Sequence, residues 1–339
     1  MVRAMPQAHG RASSEDRVTP LTASAIQERA AAILNSLQTD SQSVPLGACY
    51  REKEGCHHVV WSIGEYVLHA LPSRPNNIKS LLRDRAVTTL VRNTTKNPHI
   101  ISVPTEPFEI NGWTCMLQKR LPGISLEDYI LKGASLDKTT EDLVQLCKAL
   151  RSIDYQKASE STYYEHERPN IEKRVKKAVR QWEELRKVGY VEDDECRMRD
   201  VLSLARLKDL KPPDPYAPRM LHGDFSMQHI LVNEDDGHVT GIIDWSDAML
   251  GDPCEDIAGL ALSIGVSRAR RIAAEVGYDE HTAERGIIFA RCLAVEDLRE
   301  LECGTEQQPP EALLQAQFKM AFEGTGFGDI PDSIYPHSW

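Results

Sequence analysis

The sequence has no CxxC pair, no glycine-rich GxGxxG loop and no apolar run approaching the roughly 18 residues of a membrane span. Each absence removes a class of function. The eight cysteines are scattered at Cys49, Cys56, Cys115, Cys147, Cys196, Cys254, Cys292 and Cys303, without the paired spacing of a zinc site or redox motif, as fits reduced thiols in a cytoplasmic protein. No membrane partner is expected. The stretch Met1 to Thr19 is polar and lacks the hydrophobic segment of a signal peptide, so residues 1–20 read as a flexible tail. Positive charge is short as well: 40 Lys and Arg against 51 Asp and Glu give a formal net charge of −11. That balance argues against nucleic acid as a partner and favours a cationic ligand over an anionic one. The acidic run Val191 to Glu195 reads as a solvated face. A chain of 339 residues with 41% hydrophobic content can still bury one large two-lobed core or two modest domains.

What is present is concentrated between residues 222 and 256. His222-Gly223-Asp224-Phe225-Ser226-Met227-Gln228-His229 leads into the apolar Ile230-Leu231-Val232. A polar turn, Asn233 to His238, then separates that run from a second one, Val239 to Ile243, which ends at Asp244. Two short β-branched runs around a turn predict a hairpin, and a hairpin brings Asp224, His229 and Asp244 to one rim. Two divalent metals straddling a nucleotide's phosphates need convergent anionic or lone-pair ligands, while a separate carboxylate orients the acceptor oxygen. In the kinase pattern an Asp sits beside the attacking hydroxyl, a ligand five residues later holds one metal, and a further Asp holds the phosphate-bridging metals. Asp224, His229 and Asp244 occupy those three places. Gly251-Asp252-Pro253 reads as a helix start, with Asp252 as N-cap and Asp256 as a local brace.

Taken together, HGDFSMQHILV and IIDWSDAMLGDPCEDIA resemble the aminoglycoside and macrolide phosphotransferases, small-molecule kinases of the protein-kinase-like fold. The resemblance extends over roughly residues 45 to 300 when the order of elements is included. It implies an α+β, two-lobed fold with a small antiparallel-sheet nucleotide lobe over residues 21–121 and a larger, mostly helical lobe over residues 122–339. It further implies transfer of the γ-phosphoryl group of ATP or GTP to a hydroxyl of a small molecule, an antibiotic-like compound or secondary metabolite. Asp224 would be the catalytic Asp. Asp244 and His229 would hold Mg²⁺, with Mn²⁺ as the alternative, and Ile243 would lie on the nucleotide side. Asp247 is placed either to line the acceptor side or to brace its loop.

Along the chain, Thr22 to Gln38 predicts a helix with Ile26, Ala30, Ile33 and Leu37 on one stripe. Strands follow at Pro45 to Arg51, His57 to Ile63 and Glu65 to Leu71, then a helix from Asn77 to Arg92, and strands at Ile100 to Phe108 and Trp113 to Lys119. Met116 to Gly123 resembles the hinge of such kinases, whose backbone meets the nucleotide base, with Gln118, Lys119 and Arg120 as the contacts. Ser125-Leu126-Glu127-Asp128 is a capping box. Helices are expected over 139–153, 171–207, 258–276, 282–301 and 310–323.

Two positions depart from the kinase pattern. A kinase strand usually offers the phosphates a Lys paired with an acid on the next helix, whereas Tyr66-Val67-Leu68-His69-Ala70-Leu71 offers His69, and Asp84 resembles the paired acid. An ordinary strand histidine, with Arg74 or Lys79 meeting the phosphates, is the equal alternative. At 229 most relatives carry Asn and macrolide-type members resemble this chain in carrying His, a softer donor than the oxygens Mg²⁺ prefers. The competing reading is a kinase-like nucleotide-binding regulatory protein without transfer activity.

Overall fold

The computed structural model describes residues 20–37, 47–52, 59–162, 167–191, 195–202, 217–303 and 311–325. The tail at 1–19, the acidic positions 192–194 and residues 203–216 lie outside these. The chain divides into two compact units, Met1–Asn93 with Pro98–Leu121 and Thr94–Asn97 with Pro122–Trp339.

In the first unit, helix α1 (Ala23–Leu37) precedes strands β1 (Cys49–Arg51), β2 (Val59–Ile63) and β3 (Tyr66–Pro72). Helix α2 (Pro75–Thr94) follows, then β4 (Phe108–Ile110) and β5 (Trp113–Lys119), giving a sheet in the order β1-β2-β3-β5-β4. Every pairing in it is antiparallel. The register places Trp61 opposite Leu68 and Leu68 opposite Leu117. Alternation along β3 therefore buries Leu68 and Ala70 on one face. That face receives Ile26, Ala30 and Leu34 of α1, four residues apart, with Ile63, Ile110, Cys115 and Leu117 completing the cluster. Leu34 is buried where the stripe was expected to pass through Ile33, which is only half-buried.

The strand expected at Ile100 to Phe108 is instead Phe108–Ile110. Pro104 and Pro107 bring no amide hydrogen to a ladder, and the Asn111-Gly112 turn, with φ of 51° and 83°, pins the register from the other side. Before Phe108 the run touches β5 at Thr105, whose amide donates to the Leu117 carbonyl at 2.8 Å and whose hydroxyl accepts from the Leu117 amide at 3.2 Å, and at Ser102, whose hydroxyl donates to the Lys119 carbonyl.

The second unit holds two β-ribbons among helices. Strands β6 (Ile124–Ser125), β8 (Ile230–Val232) and β9 (Val239–Ile242) form one sheet, and β7 (Arg219–Leu221) pairs with β10 (Met249–Gly251) in another. Around them lie α3 (Leu126–Leu131), α4 (Asp137–Ser152), α5 (Tyr155–Thr162), α6 (Ile171–Lys187), α7 (Glu195–Val201), α8 (Cys254–Ile264), α9 (Val266–Val276), α10 (Glu280–Cys303) and α11 (Glu311–Ala321). Ser125 caps α3 as expected, its hydroxyl accepting from the Asp128 amide at 3.1 Å. Helix α6 buries Val175, Ala178, Val179, Trp182 and Leu185, and Trp182 stacks on Phe318 of α11 with centroids 6.1 Å apart.

Where one helix was expected over 258–276, α8 and α9 are separate. Gly265 divides them at φ 89° and ψ 158°, a conformation essentially confined to glycine, which ends the helix although the apolar pattern runs on. Among the described residues no helix is long and apolar enough to cross a membrane. The small antiparallel-sheet unit and the mostly helical unit are those expected from the sequence.

Burial of Ile26 against the sheet makes α1 part of the first unit's core. Ile26→Ala should cost about 2–5 kcal/mol, read by chemical denaturation, whereas Arg29→Ala on the exposed side of α1 should change stability by less than about 0.5 kcal/mol.

Candidate active site

The two ribbons build the site. Residues 222–229 connect β7 to β8, and residues 243–248 connect β9 to β10. Because Leu221 pairs with Met249 and Ile230 with Ile242, the two loops start and finish side by side. The Ile243 amide donates to the His229 carbonyl at 3.0 Å, and His222 Nε2 meets the Ile243 carbonyl at 3.1 Å. Ile243 thus ties the loops together through its backbone.

Four functional side chains emerge from these loops. His229 stands between two carboxylates, Nδ1 lying 3.4 Å from Asp224 Oδ2 and Nε2 lying 3.5 Å from Asp244 Oδ2. Its Nδ1 also faces the Asp224 carbonyl at 3.1 Å, an acceptor that assigns the hydrogen to Nδ1. Nε2 is then left facing Asp244, a place for positive charge that a proton on the ring or a bound cation can supply. Asp244 is half exposed and held in the left-handed conformation, φ 58° and ψ 68°, with Ser246 Oγ donating to its Oδ1 at 2.7 Å. Burial pushes its carboxyl up, but the His229 imidazole and the Ser246 hydrogen bond outweigh burial and leave it below the ordinary carboxylate value. Asp224 goes the other way: burial raises it, and His229 offsets only part of that rise. Asp247 is exposed, and its charge adds to the rise at Asp224.

Imidazole nitrogen with carboxylate oxygen suits a divalent metal that takes its remaining ligands from phosphates and water. Among the described residues no three His, Cys, Asp or Glu side chains converge into a closed protein cage. The donor set fits a divalent metal, with Asp244 and His229 as the side chains that would hold it.

What holds the loop carrying Asp224 was not evident in the sequence. Asp256, read there as a local brace, is buried and reaches back 33 and 34 residues: Oδ1 accepts from the Gly223 amide at 2.9 Å and Oδ2 from the His222 amide at 3.0 Å. Burial pushes this carboxyl up to about 7, against the pull of those two amides. Asp252 is also more than a cap. Its Oδ1 accepts from the Cys254 amide at 3.1 Å, while Arg285 grips both carboxylate oxygens at 2.5 and 2.9 Å, each partner 3% exposed. Two acids at the start of an otherwise apolar helix were the available signal.

His222 completes the support. It is fully buried, stacks on Phe225 at 4.7 Å and meets Trp245 edge-on at 4.5 Å. Its Nδ1 accepts from the Asp224 amide at 3.2 Å, so Nε2 carries the hydrogen that goes to Ile243. Burial, helped by the neighbouring His229, pulls it down to about 3 and keeps it neutral.

The remaining candidates belong to the first unit. His69 sits on β3 opposite Val60 and Met116, on the face away from Leu68, Ala70 and α1. Asp84 lies in the middle of α2. Gln118 and Lys119 pair with Val67 and Tyr66, and the Lys119 carbonyl accepts from Ser102 Oγ at 2.6 Å. Arg120 follows directly after β5. Its amide hydrogen is committed to the Glu65 carbonyl at 2.7 Å, and its guanidinium binds the Glu52 carboxylate at 2.9 Å and the Ser62 hydroxyl.

A raised carboxyl in the fold binds its proton where the unfolded chain has lost it. Asp256 therefore contributes stability that is complete below its unfolded value near 3.8 and is lost as pH rises through about 7. Between pH 5 and pH 8 this one group should take about 3 kcal/mol from the unfolding free energy. Asp256→Asn should remove that slope from denaturation curves measured across the interval.

Comparison with known proteins agrees with this geometry. Viomycin phosphotransferase of Streptomyces vinaceus is 36% identical over 69 residues, which is 20% of this chain and 24% of that protein, so the match spans about a quarter of the relative's length. The GDP complex of wild-type aminoglycoside 2'-phosphotransferase-IIIa has a TM-score of 0.56 and 18% identity over 88% of this chain and 98% of that one. The ADP-bound aminoglycoside phosphotransferase APH(2'')-Ib gives 0.51 and 19% over 89% and 97%. These likenesses carry the fold, the same protein-kinase-like arrangement of a sheet unit and a helical unit. The family described as "Phosphotransferase enzyme family" matches residues 57–287, more than half of the sequence, and the chain therefore belongs to the phosphotransferase enzyme family.

Proposed function

We propose that this protein moves the γ-phosphoryl group of ATP or GTP onto a hydroxyl of a small molecule. The observation that carries this reading is the convergence of Asp224, His229 and Asp244, the imidazole lying within 3.5 Å of both carboxylates. Asp224 accepts a hydrogen bond from the acceptor hydroxyl and orients it. As the new P–O bond forms and the bond to the nucleotide's bridging oxygen breaks, the hydroxyl proton passes to Asp224 Oδ; burial makes this carboxylate a better base than an exposed one. Asp244 and His229 hold the metal, which supplies neutralising charge at the phosphates. His222 and Ile243 keep the two loops in register while this happens.

The first unit is assigned the nucleotide, with His69, Asp84, Gln118, Lys119 and the backbone of Arg120 as its binding residues. GDP, ADP and ATP complexes among the similar structures support a nucleoside triphosphate donor without separating ATP from GTP. Kanamycin, streptomycin and gentamicin complexes among those structures, with the viomycin phosphotransferase match, support an antibiotic-like acceptor. The net charge of −11 and the exposed Asp247 favour a cationic one.

The test is transfer of labelled γ-phosphate from ATP and from GTP to a panel of hydroxyl compounds, with and without divalent metal. Nucleotide binding without transfer to any of them would favour the regulatory reading instead. Asp224→Asn should lower turnover by at least about 10³-fold while the melting temperature stays within a few degrees. Parental turnover in that variant would remove the catalytic assignment.

The metal assignment makes a separate prediction. With imidazole nitrogen at 229, Mn²⁺ should support turnover at lower concentration than Mg²⁺, and His229→Asn should narrow that gap. Asp244→Ala should abolish metal-dependent nucleotide binding, since a carboxylate contributes charge as well as a lone pair. Metal titrations that superimpose for the parent and His229→Ala would show that His229 is no ligand.

A further inference from the structure

Helix α8 meets the catalytic loop at three points on one face. Positions 256, 259 and 263 are spaced three and four apart, so the helix lines them up. Asp256 holds the amides of His222 and Gly223, on the N-terminal side of Asp224. One turn on, Gly259 lies against the Phe225 backbone: a Cβ built there would sit 3.0 Å from the Phe225 carbonyl oxygen, 3.1 Å from its Cβ and 3.3 Å from its amide nitrogen. A further turn on, the fully buried Ser263 donates from Oγ to that same carbonyl at 2.8 Å. Phe225 follows Asp224 directly, so these contacts fix the peptide on its C-terminal side.

Neither residue is there for the sake of the helix. Glycine is the poorest helix former after proline, and a helical serine commonly turns its hydroxyl back to its own helix, where this one leaves it for the loop. We propose that Ser263 and Gly259 are positioning residues for phosphoryl transfer: with Asp256 they clamp the backbone on both sides of Asp224 and set the direction of its carboxylate. The clamp rests on the transfer reading above. A displacement of about 1 Å in a reacting group can cost a hundredfold in rate, so a partial loosening is visible in turnover before it is visible in folding.

The experiment uses the full chain with Ser263→Ala, which removes the hydroxyl, and Gly259→Ala, which keeps it but crowds Phe225. Val295→Ala, a fully buried change in α10, serves as a control for lost stability. Nucleotide turnover is measured with ATP and with GTP, and amide hydrogen exchange is followed across residues 222–229. Both α8 variants should lower kcat about tenfold with the nucleotide KM within twofold and should speed exchange in the loop. The control should lose melting temperature while keeping kcat. Parental kcat in both α8 variants, a fall no greater than the control's, or unchanged loop exchange would overturn the clamp. If the parent turns over neither nucleotide, the transfer reading fails by itself, and exchange alone decides whether α8 holds the loop.

Discussion

The amides of His222 and Gly223 both point at the buried carboxylate of Asp256, and the loop that presents Asp224 takes its position from that meeting. A carboxylate away from water is costly unless hydrogen bonds replace its hydration. Here they come from the backbone it organises, so the loop and the acid stabilise each other. Asp252, four residues earlier, meets the same cost differently, through the two-pronged grip of Arg285. One acid anchors the start of α8 to α10, and the other anchors the Asp224 loop to α8.

Two histidines in the same short loop show how surroundings divide one side chain into two jobs. His222, buried between Phe225 and Trp245, is kept neutral and serves as a fixed donor and acceptor between loops. His229 is only partly covered, and its carbonyl-facing Nδ1 leaves Nε2 free to face Asp244. The left-handed backbone at Asp244 brings its carboxylate to that nitrogen, a conformation that costs roughly 1–2 kcal/mol for most residues and less for Asp or Asn.

Much of this site could be read from the chain because it is local. Asp224, His229 and Asp244 fall within 21 positions arranged around one hairpin, so apolar runs and a polar turn suffice to bring them together. Asp256 escaped for the opposite reason: a carboxylate that binds backbone amides across a long stretch of sequence leaves no periodic trace, and a local brace accounts for an Asp at a helix start equally well. The first-unit strands were recognised from their β-branched runs, but prolines and an Asn-Gly turn moved β4 toward its C-terminal end. The break between α8 and α9 hung on the backbone freedom of Gly265, which an apolar pattern does not record.

The contact between Gly223 and Asp247 has a consequence for how such a protein can change. Gly223 sits at φ 83°, and a Cβ there would lie 2.3 Å from the Asp247 carbonyl oxygen. The peptide before Asp224 and the peptide of Asp247 are thus in direct steric contact, with no slack for one to shift past the other. Any change that moved the 245–247 backbone would displace the Asp224 carboxylate in the same step. Change at this pair of loops is therefore channelled toward side chains that can be exchanged without moving either backbone.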